Sequence, residues 1–352
     1  MTYLEKSKEK LNSLRNRNDY LILAFESSCD ETAVAVTRGR EVLSSVISSQ
    51  IEIHKRFGGV VPEIASRNHA LAIDSITKEA LEKAGVTFDD IDAIAVTYGA
   101  GLLGALLVGV SYAKALAYTL EKPLIACNHI KGHIAANYIS APDLEPPFIC
   151  LLASGGHTYI LKVNTFDDME VMGETQDDAV GEAFDKVARV LGLPYPGGPE
   201  IDKLARLGKP SYKLPRAFKG EKHLNFSYSG LKTAVINLVA NTKARGGEII
   251  PEDLACSFQT EATGVLIENT IEAARRSNIS TICLAGGVGA NSALRDGLTK
   301  AGQKAHCKVL LPPRSLCTDN AAMIGICAYE EIKCALSQQS FPLTQTQDYN
   351  RK

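Results

Sequence analysis

Two short apolar runs, each interrupted by a polar turn dense in reactive side chains, constrain this chain more than any other feature. Tyr20 to Phe25 stops at Glu26-Ser27-Ser28-Cys29-Asp30-Glu31-Thr32 and resumes as Ala33 to Thr37. Phe148 to Ala153 stops at Ser154-Gly155-Gly156-His157-Thr158 and resumes as Tyr159 to Val163. Each reads as strand, hairpin, strand. Recurrence of the pattern half a chain apart predicts a duplicated domain.

The rest of the chain fits an α/β architecture. Helical spacing is found over Asn68 to Ala84, Leu102 to Leu120, Asp178 to Leu191, Glu200 to Leu207, Ser229 to Ala240, Pro251 to Ser277 and Asn320 to Cys334. Buried strands are predicted at Ile91 to Val96, Pro123 to Cys127, Thr281 to Ala285 and Lys308 to Leu311. With 352 residues, 45% of them apolar, the chain has material for two cores. Residues 1–19 are a mixed-charge extension, flexible or helical, without the apolar stretch of a secretory signal, and residues 337–352 form a polar tail.

Composition removes several classes of function. The nine cysteines are odd in number and never form C-x-x-C, so they read as buried thiols of a reducing cytoplasm rather than a disulfide framework or a thiolate zinc site. Gly101 to Leu120 is broken by Lys114 and glycines and suits helix packing better than a lipid span, so no membrane association is expected. A net charge of -2 provides no global field for a polyanion, so nucleic acid binding requires a local patch or a partner. The local basic concentration is Lys209, Lys213, Arg216, Lys219, Lys222 and His223, interleaved with Tyr212 and Phe218; it suits either a phosphate contact or a solvated loop.

His129 and His133 lie four apart, and if Asn128 caps a helix both imidazoles project from one face, a spacing that can bind one metal. Chance spacing is the alternative. A zincin is excluded because Ile130, not Glu, follows the first histidine. Asp319, before the last helix, is a plausible carboxylate ligand, and two imidazoles with one carboxylate suit Fe(II) or Zn(II). Glycine-rich turns follow three strands, at Gly99-Ala100-Gly101, Ser154-Gly155-Gly156 and Gly286-Gly287-Val288-Gly289, and together favour a nucleotide cleft. None is a dinucleotide or P-loop motif. Asp185, between Phe184 and Val187, is harder to explain as surface than Asp178 or Glu182.

Eight motifs in order, from Phe25 to Thr32, His54 to His69, His129 to His133, Ala153 to Thr158, Gly173 to Pro199, Phe226 to Thr233, Gly286 to Asn291 and Cys317 to Met323, make the chain resemble the tRNA N6-adenosine threonylcarbamoyltransferase family, in its bacterial branch. The resemblance implies a two-lobed actin-like, sugar-kinase-like fold with a nucleotide cleft. The expected lobes are residues 20–128 plus 317–336, and 129–316. It implies transfer of a threonylcarbamoyl group from threonylcarbamoyl-adenylate to N6 of adenosine 37 in tRNAs reading codons that begin with A. Carried over residue by residue, His129, His133 and Asp319 match the ligands of one divalent metal, Fe(II) favoured and Zn(II) or Mg(II) as alternatives. Leu152, Ala153, Ser154, Gly155 and Gly156 match the loop over the phosphate and acyl part, and Asp185, Gly198, Asp202 and Asn291 match the adenylate site. Asp30 and Glu31 match a proposed acidic catalytic pair. The implied partners are tRNA, a shorter paralogous subunit covering part of Gly101 to Leu120, and a small P-loop ATPase. Ala100, Gly104 and Ala105 depart from the family's usual turn. A small-molecule kinase of the same fold and a non-catalytic subunit are the competing readings; the histidine pair with Asp319 speaks against both.

Overall fold

The structure, a computed structural model, describes residues 1–218 and 220–337; Lys219 of the basic stretch and tail residues 338–352 lie outside them. Two five-stranded mixed sheets form the frame. The first contains β1 (Leu21–Glu26), β2 (Glu31–Arg38), β3 (Glu41–Ser49), β4 (Ala93–Gly99) and β5 (Leu124–Asn128), in the order β3-β2-β1-β4-β5. The second contains β6 (Phe148–Ala153), β7 (Thr158–Val163), β8 (Met169–Glu174), β9 (Thr281–Ala285) and β10 (Lys308–Leu310), in the order β10-β9-β6-β7-β8. In both, the first strand pairs antiparallel with the second and parallel with the fourth. The same wiring occurs twice, as the repeated hairpins require, giving the two-lobed actin-like, sugar-kinase-like α/β class.

The helices are α1 (Tyr3–Ser13), α2 (Ile51–His54), α3 (Pro62–Ala84), α4 (Leu103–Thr119), α5 (His129–Ser140), α6 (Val180–Val190), α7 (Gly197–Ala205), α8 (Ser229–Ala244), α9 (Pro251–Ser277), α10 (Ser292–Lys304) and α11 (Ala321–Ser337). Strand alternation decides which core each side chain enters. On β1, Leu23 and Phe25 face α3 and α4, whereas Ile22 and Ala24 face a central layer built by α5 and α11. On β6, Phe148, Cys150 and Leu152 enter that same central layer, and Ile149, Leu151 and Ala153 face the packing of α6 to α10. α5 and α11 therefore lie between the two sheets, and whatever their N-termini carry is delivered to the junction of the two halves.

α1 is docked. Leu11 and Leu14 are buried in the central core, Tyr3 Oη donates to the Lys122 carbonyl at 2.8 Å, and Arg17 forms a two-pronged pair with Asp92 at 3.0 and 3.1 Å. Among the described residues no helix is long and apolar enough to cross a membrane.

Candidate metal centre and nucleotide crevice

Asn128 starts α5: its side-chain oxygen accepts the backbone N–H of Ile130 at 2.8 Å and of Lys131 at 3.4 Å. His129 thus occupies the first helical position and His133 the next turn, with ring centroids 4.6 Å apart and planes at 78°. Asp319 comes from the segment ahead of α11, where Asn320 Oδ1 accepts the Met323 N–H at 2.9 Å. The two helix starts pack closely at Gly132, where a Cβ would stand 2.7 Å from Ile324 Cδ1, the tip of a side chain. Asp319 Oδ1 is then 3.5 Å from His129 Nε2 and 3.2 Å from His133 Nε2, and one ligand atom from each of the three residues falls within 4.8 Å of the others.

The donor set fits an ion. His133 is 1% exposed, yet neither ring nitrogen has a hydrogen-bond partner; its Nε2 approaches Asp319 without the alignment a hydrogen bond needs. A buried imidazole left unpaired costs about 1–3 kcal/mol, and a shared cation removes that cost at Nε2. Nitrogen donors with one carboxylate suit Fe(II) or Zn(II) better than Mg(II), which prefers oxygen.

Glu26, which the spacing argument did not single out, completes the arrangement. Its carboxylate is fully enclosed, accepting from Ser28 N at 2.5 Å, Thr97 Oγ1 at 2.6 Å and His129 Nδ1 at 3.1 Å. A carboxylate only accepts, so the His129 proton sits on Nδ1 and the Nε2 lone pair is left for a metal. Burial pulls the His129 pKa down, but Asp319 and Glu26 outweigh it and hold it up at about 9. The same histidines keep Asp319 below the usual carboxylate range although burial pushes the other way. In the metal-free chain a protonated His129 stands between two carboxylates, so a dication entering here displaces a proton. His157 is nearby and is pushed down to about 4 by burial and then by His129 and His133, which keeps it neutral.

The Ser154 turn is closed by Ser154 N donating to the His157 carbonyl at 2.8 Å and His157 N donating to Ser154 Oγ at 3.1 Å. Gly155 and Gly156 are exposed, with open space where side chains would be. Leu152 and Ala153 bury their side chains in the cores and act as the strand that carries the turn. The start of α6 presses on this turn; a Cβ on Gly181 would be 2.6 Å from the Ser154 carbonyl. Further along α6, Asp185 Oδ1 accepts the Gly197 N–H at 2.7 Å, and Gly198 follows with open space where a side chain would be. Burial raises the Asp185 pKa, opposed by those backbone N–H groups. Asp202, on α7, accepts from Ser292 Oγ at 2.5 Å and from Arg206 Nη2 at 2.9 Å. Next to Ser292, Asn291 caps α10 through Leu294 N at 3.0 Å and donates to Gln259 Oε1 at 2.7 Å. Asp185, Gly198, Asp202 and Asn291 therefore share one connected wall.

Asp30 and Glu31 sit opposite, on the first hairpin. Tyr195 Oη reaches Asp30 Oδ2 at 3.5 Å from the second half. Glu31 Oε1 accepts from Ser49 Oγ at 2.8 Å while its other oxygen is buried without a partner, and burial, with Ser49 opposing, pushes its pKa up to about 7. His69 braces the turn: one nitrogen contacts the Cys29 carbonyl at 2.9 Å and the other Thr32 Oγ1 at 2.7 Å. Because a carbonyl only accepts, Nε2 carries the proton and Thr32 donates to Nδ1. The basic stretch is partly committed elsewhere: Arg216 is paired with Glu261 and Glu268, and Tyr212 Oη accepts from Ile250 N.

A family model described as TsaD, tRNA N6-adenosine threonylcarbamoyltransferase, matches residues 41–326. A tRNA N6-adenosine threonylcarbamoyltransferase of Clostridium perfringens (strain SM101 / Type A) is 58% identical over 317 residues, covering 90% of this chain and 94% of the relative. Its counterpart in Clostridium novyi (strain NT) is 56% identical over 316 residues, covering 89% and 93%. Among solved structures, full-length HypF in a phosphate- and nucleotide-bound form superposes with a TM-score of 0.59 at 15% identity, over 91% of this chain and 47% of that one. That likeness concerns the fold alone. By the family match and by identity along nearly its whole length, the chain belongs to the tRNA N6-adenosine threonylcarbamoyltransferase family.

Proposed function

We propose that the crevice between the two sheets carries out the family's transfer to N6 of adenosine 37 with the residues described above in the following roles. The observation that carries the reading is the convergence of His129, His133 and Asp319 beside the open Ser154 turn. An ion bound there, Fe(II) ahead of Zn(II) or Mg(II), supplies Lewis-acid polarisation and orientation of the threonylcarbamoyl group.

The chain's own groups do the rest. Asp185, Gly198, Asp202 and Asn291 hold the nucleotide of threonylcarbamoyl-adenylate, carboxylates suiting ribose hydroxyls. Backbone N–H groups of Gly155 and Gly156 steady charge on the phosphate and on the carbonyl oxygen, the Ser154 N–H being used to close the turn. The exocyclic amine of adenine is a weak nucleophile, its lone pair delocalised into the ring, so placement matters more than basicity. As the new C–N bond forms, the C–O bond to the phosphate breaks, AMP leaves with the electron pair, and Asp30 or Glu31 takes the amine proton.

The lobes are residues 20–128 plus 317–336, and 129–316, and the enzyme works in the cytoplasm on tRNAs reading codons that begin with A. It acts with a shorter paralogous subunit and a small P-loop ATPase. Support for the first partner is the apolar surface of α3 and α4, where Leu71, Leu103, Leu107 and Tyr118 are exposed. The test is incubation of the chain with threonine, bicarbonate, ATP, unmodified tRNA and these partners, followed by nucleoside mass analysis. Product must vanish when the chain is omitted and when His129→Ala replaces it; product that persists with His129→Ala at full yield defeats the metal-centred reading.

A further inference from the structure

We infer that the loop Lys55-Arg56-Phe57-Gly58-Gly59 is a contact for the anticodon loop of the substrate tRNA, with the Phe57 ring as a stacking platform for a nucleobase beside the acceptor adenosine. The inference rests on the functional reading above. Phe57 is 56% exposed in a chain with few aromatic residues, and it directly follows two exposed cations, Lys55 and Arg56. Arg56 has no ion-pair partner among the described residues, and Lys55 has only the exposed Glu52. Cations next to an exposed aromatic ring are the composition that holds single-stranded nucleic acid, phosphate on the charges and base on the ring.

The loop is built to hold that ring in place. At its base His54 is wholly buried and accepts the Val61 N–H at 3.3 Å, while Gly59 N donates to the His54 carbonyl at 3.3 Å. Gly58 turns the chain at φ 67°. From across the crevice, Arg189 Nη2 donates to the Gly58 carbonyl. Arg189 lies one turn beyond Asp185 on α6, and only the short helix α2 separates the loop from Gln50, whose N–H donates to the Asp30 carbonyl at 3.0 Å. The rim formed by Asp30, Gly58, Arg189 and Asp185 therefore carries Phe57 at its edge. An adenosine whose N6 is to be acylated must leave its stack, and the neighbour it leaves needs a new face to rest on. By contrast, the basic stretch of residues 209–223 has Arg216 committed to two glutamates.

The experiment uses the reconstituted complex with supplied threonylcarbamoyl-adenylate and titrated unmodified tRNA. Phe57→Ala is expected to raise the KM for tRNA about tenfold, with metal content and the KM for the adenylate unchanged. Phe57→Tyr restores the parent value, since either ring offers a π-face. Replacing Lys55 and Arg56 together by alanine lowers the slope of log kcat/KM against log salt by about 1.4. An unchanged tRNA KM in Phe57→Ala overturns the inference, as does a loss that gel filtration traces to release of a protein subunit. If the parent complex itself forms no threonylcarbamoyladenosine, the functional reading fails instead, so the two failures are told apart.

Discussion

Replacing Glu26 by Gln changes one atom in the wall of the metal centre and should weaken metal binding about 10–100-fold, the usual loss when a ligand's hydrogen-bond partner is removed. That is about 1.4–2.8 kcal/mol. Glu26 uses Oε1 for the Ser28 N–H and Oε2 for Thr97 Oγ1 and His129 Nδ1. A glutamine has one acceptor. If its NH2 faces Ser28, donor meets donor at 2.5 Å, an unpaired buried pair costing about 1–3 kcal/mol. If its NH2 faces His129 instead, the Thr97 hydroxyl can rotate to accept, but Nδ1 must become an acceptor and the imidazole proton moves to Nε2, the atom that should bind the ion. The second orientation is cheaper and blocks the site.

One effect opposes the loss. Without the Glu26 charge, His129 falls from its present value of about 9, so less work is needed to remove its proton. A doubly charged ion, however, loses about twice the attraction that a proton loses, and the net change remains toward weaker binding. The assay is competition for Zn(II) or Co(II) against a chromophoric chelator, with urea unfolding of the metal-free protein as control. Metal affinity equal to that of the parent refutes the tautomer argument, because each orientation of the glutamine either sets a donor against the Ser28 N–H or moves the imidazole proton onto Nε2.

Four further outcomes are expected. His129→Ala should bind no stoichiometric metal and give no tRNA product while keeping its unfolding midpoint within a few degrees, checked by metal analysis and circular dichroism. Gly132→Ala should be near neutral, since Ile324 Cδ1 is a movable tip 2.7 Å from the new Cβ, whereas Gly132→Leu should cost about 1–3 kcal/mol in urea unfolding and weaken metal binding by parting α5 from α11. Glu31, raised to about 7 by burial, should give kcat a limb that falls as pH drops through about 7, absent in Glu31→Gln, if it takes the amine proton; its stabilising contribution is complete below about pH 4.5 and is lost as pH rises through 7, so the variant's stability should depend less on pH over that window. Leu14→Ala, at a position 2% exposed where the N-terminal helix enters the central core, should lose about 2–5 kcal/mol of stability and leave the metal affinity unchanged.

What the sequence showed and what it hid follow from how locally each feature is encoded. The hairpins, the four further strands and helices with dense apolar patterns, and the Asn128 cap depend on neighbours in the chain, and the boundaries of α9 and β9 coincide with those expected. β3 (Glu41–Ser49) and β8 (Met169–Glu174) were not expected. Both are edge strands with mostly exposed or half-exposed residues, so neither has the apolar run by which a strand announces itself. The histidine spacing was visible, but Asp319 meets it only because α5 and α11 pack together at Gly132, so its place before the last helix made it no more than a candidate carboxylate until the family resemblance matched it. Glu26 was hidden for the same reason: its partners Thr97 and His129 arrive from two other segments.

Duplication explains why the centre lies where it does. Each copy ends its first strand in a turn, and the central pair of helices brings the N-terminus of α5 between the two turns. The first turn carries Glu26, Asp30 and Glu31, three carboxylates, one of which fixes the proton of His129. The second carries no carboxylate, only exposed glycine N–H groups and His157, which its buried site beside the histidine pair holds neutral. One wall thus draws a cation and can take up a proton; the other presents uncharged donors and tolerates a phosphate. Two hairpins of the same wiring, one bearing carboxylates and the other none, therefore give the two walls of the crevice opposite electrostatic character, the arrangement that the proposed transfer with loss of an anionic leaving group requires.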